Sequence, residues 1–154
     1  MMRRGLWVIV SLVLISAGAG YWLLLRPEPV SDEMQVIRLI ADVERAVEQK
    51  DVSGLMQHIS HDYEDERGYT RRLVQRLVLA GARDPRTIDL SVDVSDVDVQ
   101  GDRATFVAEV DYFVDGSVAA GASQHLTVVG NLRKEGRRWR VVSADGWQQA
   151  EHSY

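Results

Sequence analysis

At 154 residues the chain has room for one globular domain and a short appendage, not for a two-domain enzyme with a dedicated cofactor domain. Hydrophobic residues at 45% and charged residues at 27% exclude collagen-like, wholly disordered and polytopic membrane classes, and zero cysteines exclude disulfides, thiolate metal sites and a cysteine nucleophile. The net charge is −5, and apart from Arg3, Arg4 and Arg26, which flank an apolar stretch, 15 basic residues face 23 acidic ones, a balance that argues against nucleic acid as a partner.

Residues 6–25, LWVIVSLVLISAGAGYWLLL, carry no charge, and as a helix they would span about 30 Å, one hydrocarbon core. Trp7 at one end and Tyr21 with Trp22 at the other suit the headgroup zones. Arg3 and Arg4 precede the stretch and acids follow Arg26, so residues 1–5 are expected in the cytoplasm and the rest outside, in a periplasm. The rival reading is a signal peptide cut at Ala17-Gly18-Ala19; the apolar YWLLL that cutting would leave at the new terminus favours an uncleaved membrane anchor. Residues 26–30, with Pro27 and Pro29, read as a stiff linker to a domain over 31–149, and 150–154 as a tail.

Ser31 suits an N-cap, with Asp32 and Glu33 in the first turn of a long helix whose apolar face is Val36, Ile37, Ile40, Val43 and Val47. Asp51 caps a short second helix, VSGLMQHI, with Leu55, Met56 and Ile59 inward. A third runs from about Tyr69 to Ala80 with Leu73, Val74, Leu77 and Val78 on one face, stopping at Gly81 before Pro85. From Arg86 the period changes to two: Ile88, Leu90, Val92 and Val94 alternate with polar residues, then slip by one at Ser95-Asp96, the mark of a bulge. Turn residues separate three further runs, 103–114, 123–135 and 137–147. A thirteen-residue strand would reach roughly 40 Å, so a sheet of four such strands must coil strongly to fit one small domain. The expected class is α+β: three helices on a strongly curved four-stranded antiparallel sheet, preceded by one transmembrane helix.

This order, with Lys50-Asp51-Val52 opening the second helix, the acidic segment Asp62-Tyr63-Glu64-Asp65-Glu66-Arg67-Gly68 after it and the closing RRWRVVSADGW, resembles the nuclear transport factor 2-like (NTF2-like) superfamily over residues 31–149. The resemblance implies a cone with a pocket between helices and sheet, and often a homodimer through the outer sheet face. The superfamily holds isomerases, dehydratases and cyclases beside noncatalytic binding and assembly domains, so fold does not choose function.

In its isomerase branch the base is an Asp after the second helix, and Asp65 stands there, with Tyr63, Tyr112 or His125 as assisting groups. Against this, the charge-rich surroundings suggest a hydrated carboxylate, and the position of the family's oxyanion-donating Tyr is Val43. A solvated loop or a local clasp around Tyr63 is the plainer reading. A pocket for a small apolar ligand would be walled by Phe106, Tyr112, Leu126 and Trp139 with Leu73 and Leu77, residues that serve equally as core. His58, His61, Asp62 and Asp65 cluster without a metal-binding motif, and Asp96 to Asp102 imitates a calcium loop whose twelfth position is Val107 instead of Glu, so neither a metal nor a cofactor is expected. The basic residues Arg71, Arg72, Arg76, Arg83 and Arg86, and Arg133 to Arg140, could meet anions but read first as ion-pair partners of neighbouring acids. The function expected is a membrane-tethered, noncatalytic ligand-binding or assembly module; the alternatives are an enzyme using Asp65 as base and a structural dimer in an envelope complex.

Overall fold

The computed structural model describes residues 30–114 and 124–147. The apolar stretch 6–25 and the tail 150–154 lie outside the described residues, and among those described no helix is long and apolar enough to cross a membrane. Three helices, α1 (Asp32–Glu48), α2 (Val52–Met56) and α3 (Arg71–Arg83), precede four strands, β1 (Ile88–Gln100), β2 (Arg103–Val114), β3 (Gln124–Glu135) and β4 (Arg138–Asp145). The strands form one antiparallel meander in the order β1-β2-β3-β4.

The caps form as the sequence expects. Ser31 Oγ accepts from the Met34 amide at 3.2 Å, and Asp51 Oδ1 from the Gly54 amide at 2.9 Å. A Cβ on Gly54 would lie 2.2 Å from Asp51 Oδ2, so glycine lets that cap fold close. Asp32 does more than oppose the helix dipole: its Oδ1 accepts from Lys134 Nζ at 2.6 Å and Trp139 Nε1 at 3.2 Å, pinning the start of α1 to the β3-β4 hairpin.

Three expectations are corrected. The buried stripe of α1 is Val36, Leu39, Ile40 and Ala46, and Ile37 is 39% exposed, because the sheet meets the helix along a line rotated toward Leu39. α2 ends at Met56, since Ile59 leaves the helix to bridge Val141 of β4. Gly81 does not stop α3, which runs to Arg83 and ends ahead of Pro85; an isolated glycine weakens a helix without breaking it.

The bulge sits where the alternation slips: the β1-β2 register shifts between Val94 and Asp96, and the Ser95 hydroxyl donates to Val107 O at 3.1 Å. A second shift interrupts β3-β4 between Asn131 and Leu132. These irregularities bend the sheet. Its inner side carries Ala104, Phe106, Ala108, Leu132, Trp139 and Val141, packed with Val36, Leu39, Ile40, Met56 and Val74. Gly130 makes room for Phe106, since a Cβ there would stand 2.2 Å from the ring.

Both edges are covered in part. Along β1, Glu48 and Glu44 of α1 each accept a backbone N–H, from Leu90 and Val92, at 3.3 Å. Along β4, the segment after α2 is sewn on by Ser60 N–H to Val141 O (2.9 Å), Val141 N–H to His58 O (2.9 Å) and Glu64 N–H to Val142 O (3.0 Å).

Candidate functional site

The strand-like path of residues 58–64 along β4 carries Tyr63 inward and brings Asp65 to the end of the sheet. Asp65 is 6% exposed, which corrects the expectation of a hydrated carboxylate: only its neighbours Asp62, Glu64 and Glu66 face solvent. Its Oδ1 accepts from the backbone N–H of Arg67 at 3.0 Å and of Tyr69 at 2.9 Å. Its backbone carbonyl accepts from Gly68 N–H at 2.9 Å, closing a turn that Gly68 completes at φ 75°, a conformation costly for other residues. This side-chain-to-backbone pattern is the one by which Asp organises a loop.

The Tyr63 hydroxyl lies 3.4 Å from both Asp65 Oδ2 and Ala144 O, with one proton to donate. Burial, with Asp65 and Asp145 nearby, pushes its pKa up to about 12, so it remains a phenol at physiological pH. Trp147 seals the site: its Nε1 donates to Ala144 O at 2.9 Å and its ring meets Tyr69 edge-on at 5.7 Å. A carboxylate engaged on both oxygens, beside a neutral phenol, is arranged to hold chain in place.

Tyr63 and Asp65 are thus together, and His125 is apart from them. Leu126 points inward, so His125 stands on the outer sheet face, its side chain 60% exposed, with Nδ1 2.9 Å from Asp111 and Nε2 3.0 Å from Glu109. The hydrogen bond to Asp111 leads in raising its pKa. The expectation of a pocket-side assistant is therefore corrected by strand alternation. Tyr112 is also remote in role: its hydroxyl donates to Gln124 Oε1 at 2.7 Å.

The expected pocket wall divides. Phe106 and Trp139 belong to the main core, whereas Tyr112 and Leu126 form a separate small cluster with Leu90 and Val110. Leu73 and Leu77 are half-buried at the flank of α3, whose core contacts are Val74 and Val78, so the assignment of those two leucines as wall is corrected. The His58–Asp65 cluster does not converge: His58 is half-buried, Asp62 binds Arg133 at 2.8 Å, and Asp65 turns inward. Residues 96–100 are regular strand paired with β2. Among the described residues no group of three or more His, Asp or Glu could hold a metal ion.

The residue that sequence reasoning missed is Ser60, fully buried, whose hydroxyl donates to Glu135 at 2.6 Å and accepts from Asp62 N–H at 3.2 Å. Arg133 bridges Asp62 and Glu135, both at 2.8 Å. Little local marks Ser60, since the charged partners of its hydroxyl, Glu135 and Arg133, lie more than seventy residues on.

No family model matches the chain and no curated protein matches it. Solved structures do. A candidate dehydratase of the NTF2-like family from Streptomyces avermitilis is similar at 19% identity, covering 77% of this chain and 97% of that one, with a TM-score of 0.63. A candidate scytalone dehydratase from Novosphingobium aromaticivorans matches at 13% identity over 71% of this chain and 78% of that one, TM-score 0.61. A candidate calcium/calmodulin-dependent protein kinase type II association domain from Thiobacillus denitrificans matches at 14% identity over 79% and 97%, TM-score 0.59. At such identities the likeness is one of fold, and the fold is the NTF2-like, cystatin-like one.

Proposed function

We propose that the chain is a noncatalytic assembly module, tethered to a membrane by residues 6–25 with its folded domain on the outer side, whose outer sheet face takes a second copy of itself. The observation that carries the noncatalytic reading is the engagement of Asp65: it is buried, Oδ1 holds two backbone amides and Oδ2 lies 3.4 Å from the Tyr63 hydroxyl, so the carboxylate is committed to its own loop. Val43 in place of a hydroxyl donor supports it. For assembly, the outer face offers Val129, 43% exposed, with Val107 and Phe113 on the same face, beside a hollow of about 530 Å³ lined by Asp98, Gln100, Arg103, Thr105, Asn131 and Arg133. The fold neighbour described as an association domain is in keeping with this use. The anchor rests on the length and charge-free composition of residues 6–25.

Sedimentation of the full chain in detergent tests the reading. A dimer that Val129→Arg converts to monomer is the expected result, and a monomer at every concentration overturns it. The buried proximity of Tyr63 and Asp65 is what favours the enzymatic alternative; there, Asp65→Asn would abolish turnover while leaving the melting temperature in place.

A further inference from the structure

Beyond the edge of β4 lies a hollow of about 460 Å³ that the assembly reading does not use. Its polar lining is Arg71 and Gln75 of α3, Ser53 of α2, Gln57 just after it, and Arg140 of β4; Val52 and Met56 add an apolar part. Arg140 stands between the inward Trp139 and Val141 and so points to the other side of its strand. Its Nε is buried without a hydrogen bond: Glu135 Oε2 is 3.3 Å away, but the N–H is not directed at it. Glu135 is already taken by Ser60 at 2.6 Å and Arg133 at 2.8 Å. Arg71 spends two N–H groups on Met56 O and Ile59 O, at 3.1 and 3.4 Å, and a guanidinium has five. Arg71, held on two carbonyls, and Arg140, ion-paired with Glu135 through an occluded Nε, turn their remaining guanidinium nitrogens, with two amides and a hydroxyl, around one open hollow, a donor set suited to a planar or tetrahedral oxyanion.

We infer that this cleft binds the carboxylate of a small organic acid, with Arg140 and Arg71 on the oxygens, Gln57, Gln75 and Ser53 at the margin, and a short aliphatic body against Val52 and Met56. Burial lowers the pKa of neighbouring His58, and the charges of Arg140 and Arg138 add to that against the opposing pull of Asp42.

The test is a titration of the detergent-solubilised full chain with sodium butyrate and sodium acetate, followed by the arginine Nε–H and histidine resonances, against sodium chloride at equal ionic strength. Expected are a saturable shift of the terminal guanidinium N–H resonances of Arg140 and Arg71, a rise of the His58 pKa on binding, and butyrate tighter than acetate by roughly threefold to tenfold for its two added methylenes. Arg140→Gln weakens butyrate by at least about tenfold, the loss of a charge-assisted pair. Gln75→Ala, on a half-open surface, weakens it by a few-fold with the melting temperature unchanged, which keeps the test alive if Arg140→Gln fails to fold. Shifts that chloride reproduces, or variants that bind butyrate as tightly as the parent, overturn the inference.

Discussion

Two carboxylates in this molecule, Asp65 after α2 and Asp111 on β2, show how differently one side chain is used on the two sides of the sheet. Asp65 is buried and organises a loop through backbone amides; Asp111 is more than half exposed and holds an equally exposed histidine across two strands. The first holds the loop closed, and the second adds little, since water screens exposed ion pairs. What separates them is access to water, which family position alone does not reveal. The inner side is committed to packing, and the outer side is left available.

The comparison breaks if inner-side substitutions prove cheap. Trp139→Ala removes a core ring and the indole N–H that meets Asp32, and a loss of about 3–5 kcal/mol in urea unfolding is expected. Gly130→Ala forces a methyl against Phe106 and costs about 1–3 kcal/mol, part of which Phe106→Leu in the same chain should restore. Asp65→Ala strands the amides of Arg67 and Tyr69 and costs about 1–3 kcal/mol, whereas Asp65→Asn keeps an acceptor and loses less. On the outer side, Val129→Arg should change the stability of the dissociated protomer, read at a concentration too low for association, by no more than about 0.5 kcal/mol.

The two histidines sharpen the contrast with pH. His125 has its pKa raised, chiefly by the Asp111 hydrogen bond. Its contribution is therefore fully present below the ordinary imidazole value of about 6.5 and is lost as pH climbs through the raised one. His58 has its pKa lowered, chiefly by burial, so its contribution is present above about 6.5 and lost as pH falls through the lowered one. Proton NMR titration should find His125 above and His58 below the free value, and Asp111→Asn should bring only His125 back. The smallest effect expected is at the β1 edge, where Glu44→Ala and Glu48→Ala should each cost about 0.5 kcal/mol, the lower end for a net hydrogen bond, read by thermal unfolding.

Local signals in the sequence carried most of the fold. Ser31 and Asp51 mark helix starts because a capping side chain acts within three residues, and the slip at Ser95-Asp96 marks the bulge because alternation is a nearest-neighbour property. Ile37 and Leu39 are both apolar but lie on nearly opposite sides of the helix, flanking Val36 and Ile40, so which of them faces the sheet depends on the helix's rotation in the packed domain, information the helix itself lacks. The candidate site was legible in part. Tyr63 and Asp65 are two apart and could be paired on paper; the burial of Asp65 could not, because Trp147 and Ala144, which close over the loop, come eighty residues later. His125 went to the wrong side because the parity of β3 is set by its register with β2, where Leu126 faces in.

The guarded sheet edges limit how this molecule can meet others. With Glu44 and Glu48 holding the amides of Leu90 and Val92 on β1, and residues 58–64 hydrogen-bonded to Val141 and Val142 of β4, an incoming strand meets native partners on part of each edge. A foreign peptide, or a second copy adding edge to edge, must displace those native contacts wherever it pairs there.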